Sequence, residues 1–384
     1  MAFNPSVLAE NLKKHRANRG LTQQQLAELL SVSPQSVSKW ERGQSIPDLD
    51  KLCAAADVLD IRLDALLDKD PQAGRVLFGV DGGGTKTEFV MFREDGQFLK
   101  RLVLEGANPN TVGVEKNVQV IKSGISQLQG GAQIAGIFVG CAGYFSGNNL
   151  QLVKIALQNA FPGTKVDCHS DIMNIIAAGS DSRRCIAAIC GTGSVIYANE
   201  NRNLHRLGGF GYLLDKQGSG FDMGRDVLRT ALQERDGNGE KSLITQLVEK
   251  KLGGTVWENI SAIYQKGTSY IASFTPMLFE AYAKGDKVAK AILCDHADYL
   301  AGQIGRVHQM YDCGNTVVVS GSVFSATDVF FNMVNQRLPG ELKMEAIAHP
   351  PVYGACRMAC EICNIDPENF SKSFAIHYPE SLEE

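Results

Sequence analysis

The sequence lacks the long apolar segments that a membrane protein needs. No stretch reaches the roughly 18 uninterrupted apolar residues of a membrane-spanning helix. The first 16 residues are charged and amphipathic, without the apolar core of a secretory signal. Tryptophan occurs twice, and the ten cysteines show no disulfide-framework spacing. These absences predict a cytoplasmic protein with buried, reduced thiols and no membrane partner.

The sequence also lacks a strong excess of either charge. A formal net charge of −4 excludes a uniformly basic, nucleic-acid-coating protein. The charges are unevenly spread, however: residues 1–45 hold six basic and three acidic side chains, whereas residues 46–68 hold two basic and six acidic ones. A segment with one basic end can present that end to phosphate. The length of 384 residues predicts two or three domains.

Apolar residues recur at helical spacing through residues 1–68 and predict five short helices. The start and stop signals between them are specific. Thr22 is predicted to cap the second helix with Gln25 three residues later, Ser33 to cap the third with Pro34 in its first turn, Gly43 to follow the third, and Pro47 and Asp48 to start the fourth.

Residues 21–67 resemble the Xre family, the helix-turn-helix domain of lambdoid phage repressors. The resemblance implies that the third helix enters the major groove and that the second helix abuts the DNA backbone. It also implies a homodimer on a palindromic, double-stranded DNA operator. A small helical bundle that binds protein is the alternative. The implied DNA contacts are Gln23 to phosphate, and Ser33, Gln35, Ser36 and Lys39 to base edges or nearby phosphates, with Gln35 suited to adenine and Lys39 to guanine.

After a polar segment that predicts a linker at residues 69–75, an apolar strand, Val76–Val80, leads into a glycine-rich turn. Glycines let backbone N–H groups approach an anion closely. Asp81 stands at the strand end, where it can bind Mg²⁺ through water. The return strand that follows distinguishes this turn from a Walker A loop, which needs a helix there. The predicted phosphate-binding residues of this turn are Gly83, Gly84, Thr85, Lys86 and Thr87.

Two further glycine turns follow apolar strands. One contains Gly191, Thr192 and Gly193, and the other contains Ser320, Gly321 and Ser322 before a helical pattern. Three such turns can converge on one nucleotide in a two-lobed fold, although each alone is also typical of an ordinary turn.

Residues 76–363 resemble the actin-like ATPase superfamily, and within it the BadF/BadG-type ATPases and N-acetylglucosamine kinases. The resemblance implies an α/β, ribonuclease H-like domain with ATP and Mg²⁺ as cofactors and a sugar or amino sugar as ligand. The first lobe would span residues 76–165, with a helix at 352–363 returning to it, and the second lobe residues 166–351. By the same resemblance the three turns hold the nucleotide, Asp171 lies near Mg²⁺, and Asn108, Gly209 and Asp215 contact the sugar.

Two positions depart from the kinase pattern. The turn that in family kinases carries the proton-accepting aspartate reads Gly140 to Phe145 here, and a phenyl ring cannot accept a proton. An acidic pair before Gly218 is replaced by Lys216 and Gln217. The sequence therefore predicts intact ATP binding, slow or lost sugar phosphorylation, and no assignable catalytic residue.

These observations favour a transcriptional regulator with a ligand-sensing, kinase-like domain. An active N-acetylhexosamine kinase and an ATPase that activates a partner enzyme are the alternatives. Near the end of the chain, Cys356, Cys360 and Cys363 share one helix face, which predicts a buried stripe in preference to a metal site. The polar tail after Ile365 is expected to be only partly ordered.

Overall fold

The structure, a computed structural model, describes residues 5–61, 63–67, 75–181, 183–215 and 218–378. Of the predicted linker at 69–75, only Arg75 lies within these ranges. The described part of the first 67 residues forms five helices packed around Leu12, Leu26 and Trp40. They are α1 (Pro5–Asn18), α2 (Gln23–Leu29), α3 (Pro34–Glu41), α4 (Leu49–Leu59) and α5 (Leu63–Leu67).

The ends of these helices are set by the residues that the sequence indicated. Thr22 and Gln25 form a reciprocal capping box at the start of α2. The Ser33 hydroxyl accepts the Ser36 N–H at the start of α3. Asp48 caps α4 in the same way. Each cap satisfies a backbone donor that would otherwise lack a partner, so the turns between the helices are fixed locally.

Beyond residue 75 the described strands form two five-stranded sheets with the same plan. In each sheet the first strand pairs with an antiparallel hairpin on one side and with two parallel strands on the other. The first sheet has the order β3-β2-β1-β4-β5, and the second has the order β10-β9-β6-β7-β8. The strands are β1 (Val76–Gly82), β2 (Lys86–Arg93), β3 (Phe98–Glu105), β4 (Ile134–Cys141), β5 (Lys165–His169), β6 (Arg184–Cys190), β7 (Ser194–Glu200), β8 (Asn203–Gly208), β9 (Thr316–Ser320) and β10 (Lys343–Ala346).

Helices cover both faces of each sheet, as α/β architecture requires. The first sheet and its helices are called the first lobe below, and the second sheet with its helices the second lobe. The helices are α6 (Pro109–Val112), α7 (Val114–Gln129), α8 (Asn149–Ala160), α9 (Asp171–Gly179), α10 (Gly220–Arg235), α11 (Leu243–Leu252), α12 (Val256–Ala272), α13 (Thr275–Ala283), α14 (Lys287–Met310), α15 (Ser322–Ser325), α16 (Asp328–Asn335), α17 (Pro351–Cys363) and α18 (Glu368–His377).

One hydrophobic core is shared by the two lobes. Alternating residues of β6 divide between two cores: Ile186 faces the helices of the second lobe, whereas Cys185 and Ala187 join the core that contains α9 and α17. The same core holds Leu77 of β1. Helices α9 and α17 therefore lie between the two sheets and connect the lobes through apolar packing.

Helix α17 returns to the first sheet. A β-carbon on Gly79 of β1 would lie 2.5 Å from the Cys356 backbone, so the bare glycine permits the close approach. Cys356 and Cys360 are buried and Cys363 is partly buried, which confirms the predicted cysteine stripe. Burial raises the pKa of the Cys360 thiol to about 12. Strand β5 also belongs to the first sheet, and the lobe boundary predicted at 165/166 falls inside this strand.

The tail is more ordered than its composition suggests. Phe370 and Phe374 of α18 are fully buried, and Phe370 contacts the Phe92 ring at 4.3 Å between centroids. These two aromatic residues, four apart on one face, attach an otherwise polar helix to β2 and β3 on the same face of the first sheet as α17. Within the described ranges, no helix combines the length and the apolar character needed to cross a bilayer.

Candidate functional sites

Helix α3 exposes the polar face that a recognition helix needs. Val37 and Trp40 are buried in the helical core, while Gln35 and Lys39 are exposed on the other side. Ser33, a predicted DNA contact, already uses its hydroxyl in the helix cap, where its Oγ lies 2.9 Å from the Ser36 Oγ. Gln35 and Lys39 are therefore the side chains best presented to a base edge.

A buried ion pair fixes α3 against its neighbours. The Arg16 guanidinium contacts both carboxylate oxygens of Glu41, at 2.6 and 2.9 Å. Gln23 donates from its Nε2 to the same carboxylate at 2.7 Å. Because this amide is held by Glu41, Gln23 lies at the junction of α2 and α3, with its backbone N–H at the start of α2.

The first glycine turn joins β1 to β2. Gly83 N–H donates to the Lys86 carbonyl, which closes the turn and leaves Gly84, Thr85 and Lys86 exposed. Thr87 differs from the prediction: it is buried, and its hydroxyl donates to the Glu105 carbonyl on β3 at 2.8 Å. This hydroxyl holds the sheet together and is not presented to a phosphate.

Two carboxylates flank this turn at the ends of β1 and β5. Asp81 Oδ1 accepts a hydrogen bond from the Asn174 Nδ2 of α9 at 2.6 Å. Burial, opposed by this hydrogen bond and assisted by the nearby Asp171 charge, raises the pKa of Asp81 to about 7. Burial also raises the pKa of Asp171, whose carboxylate accepts the Ser170 hydroxyl at 2.8 Å. No local pattern in the sequence indicates that Asn174 orients Asp81.

The pair Asp81 and Asp171 fits a magnesium ion. Each carboxylate is partly buried, and the charge of Asp171 disfavours ionisation of Asp81, so a divalent cation next to them would stabilise the charged form of both. Mg²⁺ characteristically uses one or two carboxylates and completes its shell with water and phosphate oxygens. Consistent with that small donor set, the described residues contain no group of three or more His, Cys, Asp and Glu side chains suited to a metal.

The turn after β4 carries two aromatic residues, one of which packs against His169. Tyr144 is fully buried and donates from its hydroxyl to Asn117 at 3.3 Å. Phe145 is half exposed, and its ring meets the His169 ring edge-on at 5.3 Å. Burial lowers the pKa of His169, whose Nδ1 accepts the Ser170 N–H.

Asn108 lies against the same turn. A β-carbon on Gly143 would lie 2.2 Å from the Asn108 Oδ1, and this oxygen accepts the Asn110 N–H as the cap of α6. The structure thus brings the predicted sugar residue Asn108 together with the turn that ends in Phe145.

In the second lobe, the two remaining glycine turns lie side by side. Gly321 has φ +105°, and a β-carbon there would lie 2.4 Å from the Cys190 carbonyl just before Gly191. The turn at Gly191–Gly193 also receives two backbone bonds from the start of α10, from Gly220 N–H to Gly191 O at 2.7 Å and from Phe221 N–H to Thr192 O at 3.0 Å. A rigid pair of backbone corners results, with Ser322 exposed beside them.

A buried histidine supports this arrangement. His296 of α14 accepts the Gly218 N–H on its Nδ1 at 3.1 Å, and its Nε2 lies 3.0 Å from the Asp226 carboxylate. The acceptor role of Nδ1 requires the tautomer protonated at Nε2. A helical pattern in the sequence does not show which buried residue meets a loop, so this role of His296 is visible only in the structure.

The other predicted sugar residues lie in the second lobe. Gly209 and Asp215 line a cavity of about 220 Å³ together with Ser194 and Tyr299. Asp215 accepts the Gly211 N–H at 2.8 Å and so closes its own loop. Asn108 is not among the residues lining this cavity. Lys216 and Gln217 lie outside the described residues.

Comparison with known proteins agrees with this division of the chain. The family model for the BadF/BadG/BcrA/BcrD ATPase family matches residues 78–356, and a helix-turn-helix model matches residues 12–66. An N-acetylmuramic acid/N-acetylglucosamine kinase of Clostridium acetobutylicum is 28% identical over 306 residues, covering 76% of this chain and 100% of the kinase.

Two further comparisons bear on the separate parts. The HTH-type transcriptional activator BcrR of Enterococcus faecalis is 40% identical over 67 residues, which cover 17% of this chain and 30% of the activator. A Chromobacterium violaceum protein of known structure, provisionally assigned as an N-acetylglucosamine kinase, has a TM-score of 0.55 at 22% identity, covering 75% of this chain and 99% of its own. The likeness to this structure is one of fold.

Proposed function

Since the chain belongs to the BadF/BadG/BcrA/BcrD ATPase family and carries an N-terminal helix-turn-helix domain, we propose that it is a DNA-binding transcriptional regulator. Its kinase-like domain binds ATP with Mg²⁺ and senses a sugar or amino sugar without efficient phosphorylation. The observation that carries this proposal is Phe145, which packs against His169 in a turn whose Gly143 meets Asn108, at the position where, by resemblance, a kinase of this type carries a proton acceptor.

The nucleotide is held by backbone donors from both lobes and by the carboxylate pair. Gly84 and Thr85 are exposed in the first lobe, and Thr192 and Gly193 in the second. When bound, Mg²⁺ would neutralise phosphate charge next to Asp81. Asn174 keeps the Asp81 carboxylate oriented towards that position through its 2.6 Å hydrogen bond.

Ligand binding is transmitted to DNA through the relative position of the lobes. ATP and sugar between the lobes favour a closed state over an open one. In a homodimer, closure changes the spacing of the two α3 helices, whose half-sites lie about one DNA turn apart. The proposed operator is palindromic because a two-fold dimer presents two identical helices.

An active N-acetylhexosamine kinase is the second candidate. It is favoured by the match over the full length of the Clostridium acetobutylicum kinase and by the intact first glycine turn. Incubation of the protein with Mg·ATP and N-acetylglucosamine, with an assay for sugar phosphate, separates the two candidates. The regulator predicts at most trace product, and turnover of 1 s⁻¹ or faster, about the lower end of typical enzymes, would reject it.

The DNA-binding function is tested at α3. Replacing Gln35 and Lys39 together with alanine should abolish operator binding, because both reach the exposed face of the helix. Gln24→Ala, on the exposed side of α2, is the matched control and should retain binding. Fluorescence anisotropy with an operator selected from random DNA measures the affinity, and ATP binding should be equal in all three proteins. Unchanged DNA affinity in the double variant would show that α3 is not the recognition helix.

A further inference from the structure

A second cavity lies at the junction of the lobes, at the end of α9 that is opposite Asp171. The C-terminal end of α9, the side of α17 and the turn between β7 and β8 enclose about 270 Å³. Met173 and Met358 contribute apolar wall, and Arg357 contributes charge. An enclosed space of about 150 Å³ admits benzene, so this junction cavity has room for a small metabolite.

The junction cavity has more basic than acidic side chains around it. Arg183, Arg202 and Glu361 also line an adjoining open depression of about 540 Å³, so the two spaces are continuous in their charged walls. The basic side chains of the two spaces are Arg183, Arg202, Arg357, Lys154 and Lys165, and the acidic ones are Asp181, Glu361 and Asp167.

The basic side chains around the two spaces outnumber the carboxylates that pair with them. Arg183 and Arg202 both pair with Glu361, each at 2.7 Å. Lys154 and Arg202 both pair with Asp167, at 2.8 and 3.3 Å. Asp366, which follows the lining residue Ile365, accepts the Glu368 N–H and is not part of the wall. A surplus of positive charge therefore remains, and a dianion would compensate it.

Arg357 has an unused donor at the same place. Its guanidinium pairs with Asp181 and donates to the Ala177 carbonyl at 2.9 Å, but its buried Nε–H has no partner among the described residues. Burial lowers the pKa of Arg357, because the charged guanidinium is partly removed from water. Phosphate oxygens are the acceptors that arginine side chains bind most effectively after carboxylates.

The junction cavity is connected to the nucleotide cleft through one residue. The Arg202 side chain lies in the cavity wall, whereas its carbonyl oxygen lies 3.1 Å from the Nε2 of His169, two residues before Asp171. Arg202 and Asn201 have φ values of +72° and +54°, in the left-handed region that costs a non-glycine residue free energy. A ligand that draws the Arg202 side chain away from Asp167 would move this turn and the histidine together.

We propose that the junction cavity binds a small dianion, namely the phosphate group of a phosphorylated metabolite, at a site separate from the ATP cleft. The bound anion would replace the shared carboxylates as partner of Arg183 and Arg202. Through the Arg202 carbonyl it would shift the balance between open and closed lobes. The site itself does not depend on ATP binding or on DNA binding, because the cavity is formed by other residues, whereas its effect on the lobes rests on the proposed function.

Calorimetry on the full chain tests the site, with glucose 6-phosphate, inorganic phosphate and glucose as probes and saturating Mg·ATP present or absent. We expect both phosphates to bind, glucose not to bind, and Mg·ATP to leave that binding in place. Tighter binding of the ester identifies a phosphorylated metabolite as the ligand, and equal binding identifies the dianion alone; both support the site.

Arg183→Ala should weaken phosphate binding about 10-fold or more, since it removes a charge-assisted hydrogen bond. Its side chain is 68% exposed, so the variant should fold. Lys284→Ala is the matched control. Lys284 follows α13, its side chain is exposed, and it does not line the junction cavity. No binding of either phosphate, equal affinity in Arg183→Ala, or loss of binding when Mg·ATP is added would overturn the proposal.

Discussion

The two sheets have the same strand order, yet the turns that leave them differ in chemistry. In the first sheet the hairpin turn begins with Asp81, and the turn after β4 ends in Phe145. In the second sheet the hairpin turn at Gly191–Gly193 carries no carboxylate and is fixed by the backbone of Gly220 and Phe221. The shared topology supplies backbone donors twice, but the charge for a metal comes from one side. Side chains at the strand ends, and not the fold, decide what such a cleft can do.

The largest expected effect concerns the packing of α18 on the first sheet. Phe370→Ala should lower the free energy of unfolding by about 3–5 kcal/mol, because it empties a fully buried ring site between α18 and β2. Urea denaturation followed by circular dichroism measures this. Phe210→Ala, in the second lobe, removes a ring that is 65% exposed and should change stability little. Equal effects of the two substitutions would show that α18 does not stabilise the first sheet.

The next effect concerns the missing proton acceptor. Phe145→Asp should raise the rate of N-acetylglucosamine phosphorylation at least about 100-fold, since general-base catalysis typically contributes 10²–10⁴. Phe145→Ala, which opens the same space without a carboxylate, should give no gain. Sugar phosphate formation is the measurement. If the aspartate variant is as inactive as the original chain, the first lobe lacks more than this carboxylate.

A pair of threonines contrasts the two hairpin turns directly. Thr87→Val should cost about 0.5–1.5 kcal/mol of stability, because the hydrogen bond from this hydroxyl to the Glu105 carbonyl is lost, and should leave ATP affinity unchanged. Thr192→Val should do the reverse, with ATP affinity falling about 3- to 10-fold at unchanged stability. Thermal unfolding and nucleotide titration of both variants measure the two effects. The same profile for both would mean that the turns are equivalent.

The smallest effects are expected at two helical glycines. Gly302→Ala on the exposed side of α14 should stabilise the protein by up to about 1 kcal/mol, since nothing lies within 4 Å of the new methyl group. Gly124→Ala on α7 should destabilise it by about 1 kcal/mol, because the methyl group would meet the Phe89 ring at 2.4 Å. Opposite signs in urea denaturation would confirm that α7 packs more tightly on its sheet than α14 does at this point.

The features that the sequence predicted well are local. The caps at Thr22, Ser33 and Asp48 depend on residues within three positions of one another, and the structure confirms them. The strand before each glycine turn is an apolar run bounded by glycine, which is readable in the same way. The change at Phe145 was visible only because a resemblance to kinases marks that position.

The features that the sequence did not reveal depend on distant partners. Thr87 was predicted to face a phosphate, but its hydroxyl meets Glu105, whose position is set by the pairing of β2 and β3. Asn174 and His296 each contact a loop far away in the chain, and no local pattern marks such contacts. The order of the tail as far as Tyr378 was not visible in its polar composition, because it depends on two phenylalanines of α18 that pack against the first sheet.

The return of α17 to β1 has a consequence for how the molecule is made. Gly79 meets Cys356, so this face of the first sheet stays uncovered from the synthesis of β1 until residue 356 has left the ribosome. At roughly 5–20 residues per second, that interval is on the order of tens of seconds. The helix-turn-helix domain needs none of those later residues for its core and can fold while translation continues. A nascent chain would therefore hold a folded helix-turn-helix domain before its ATPase-family domain is complete.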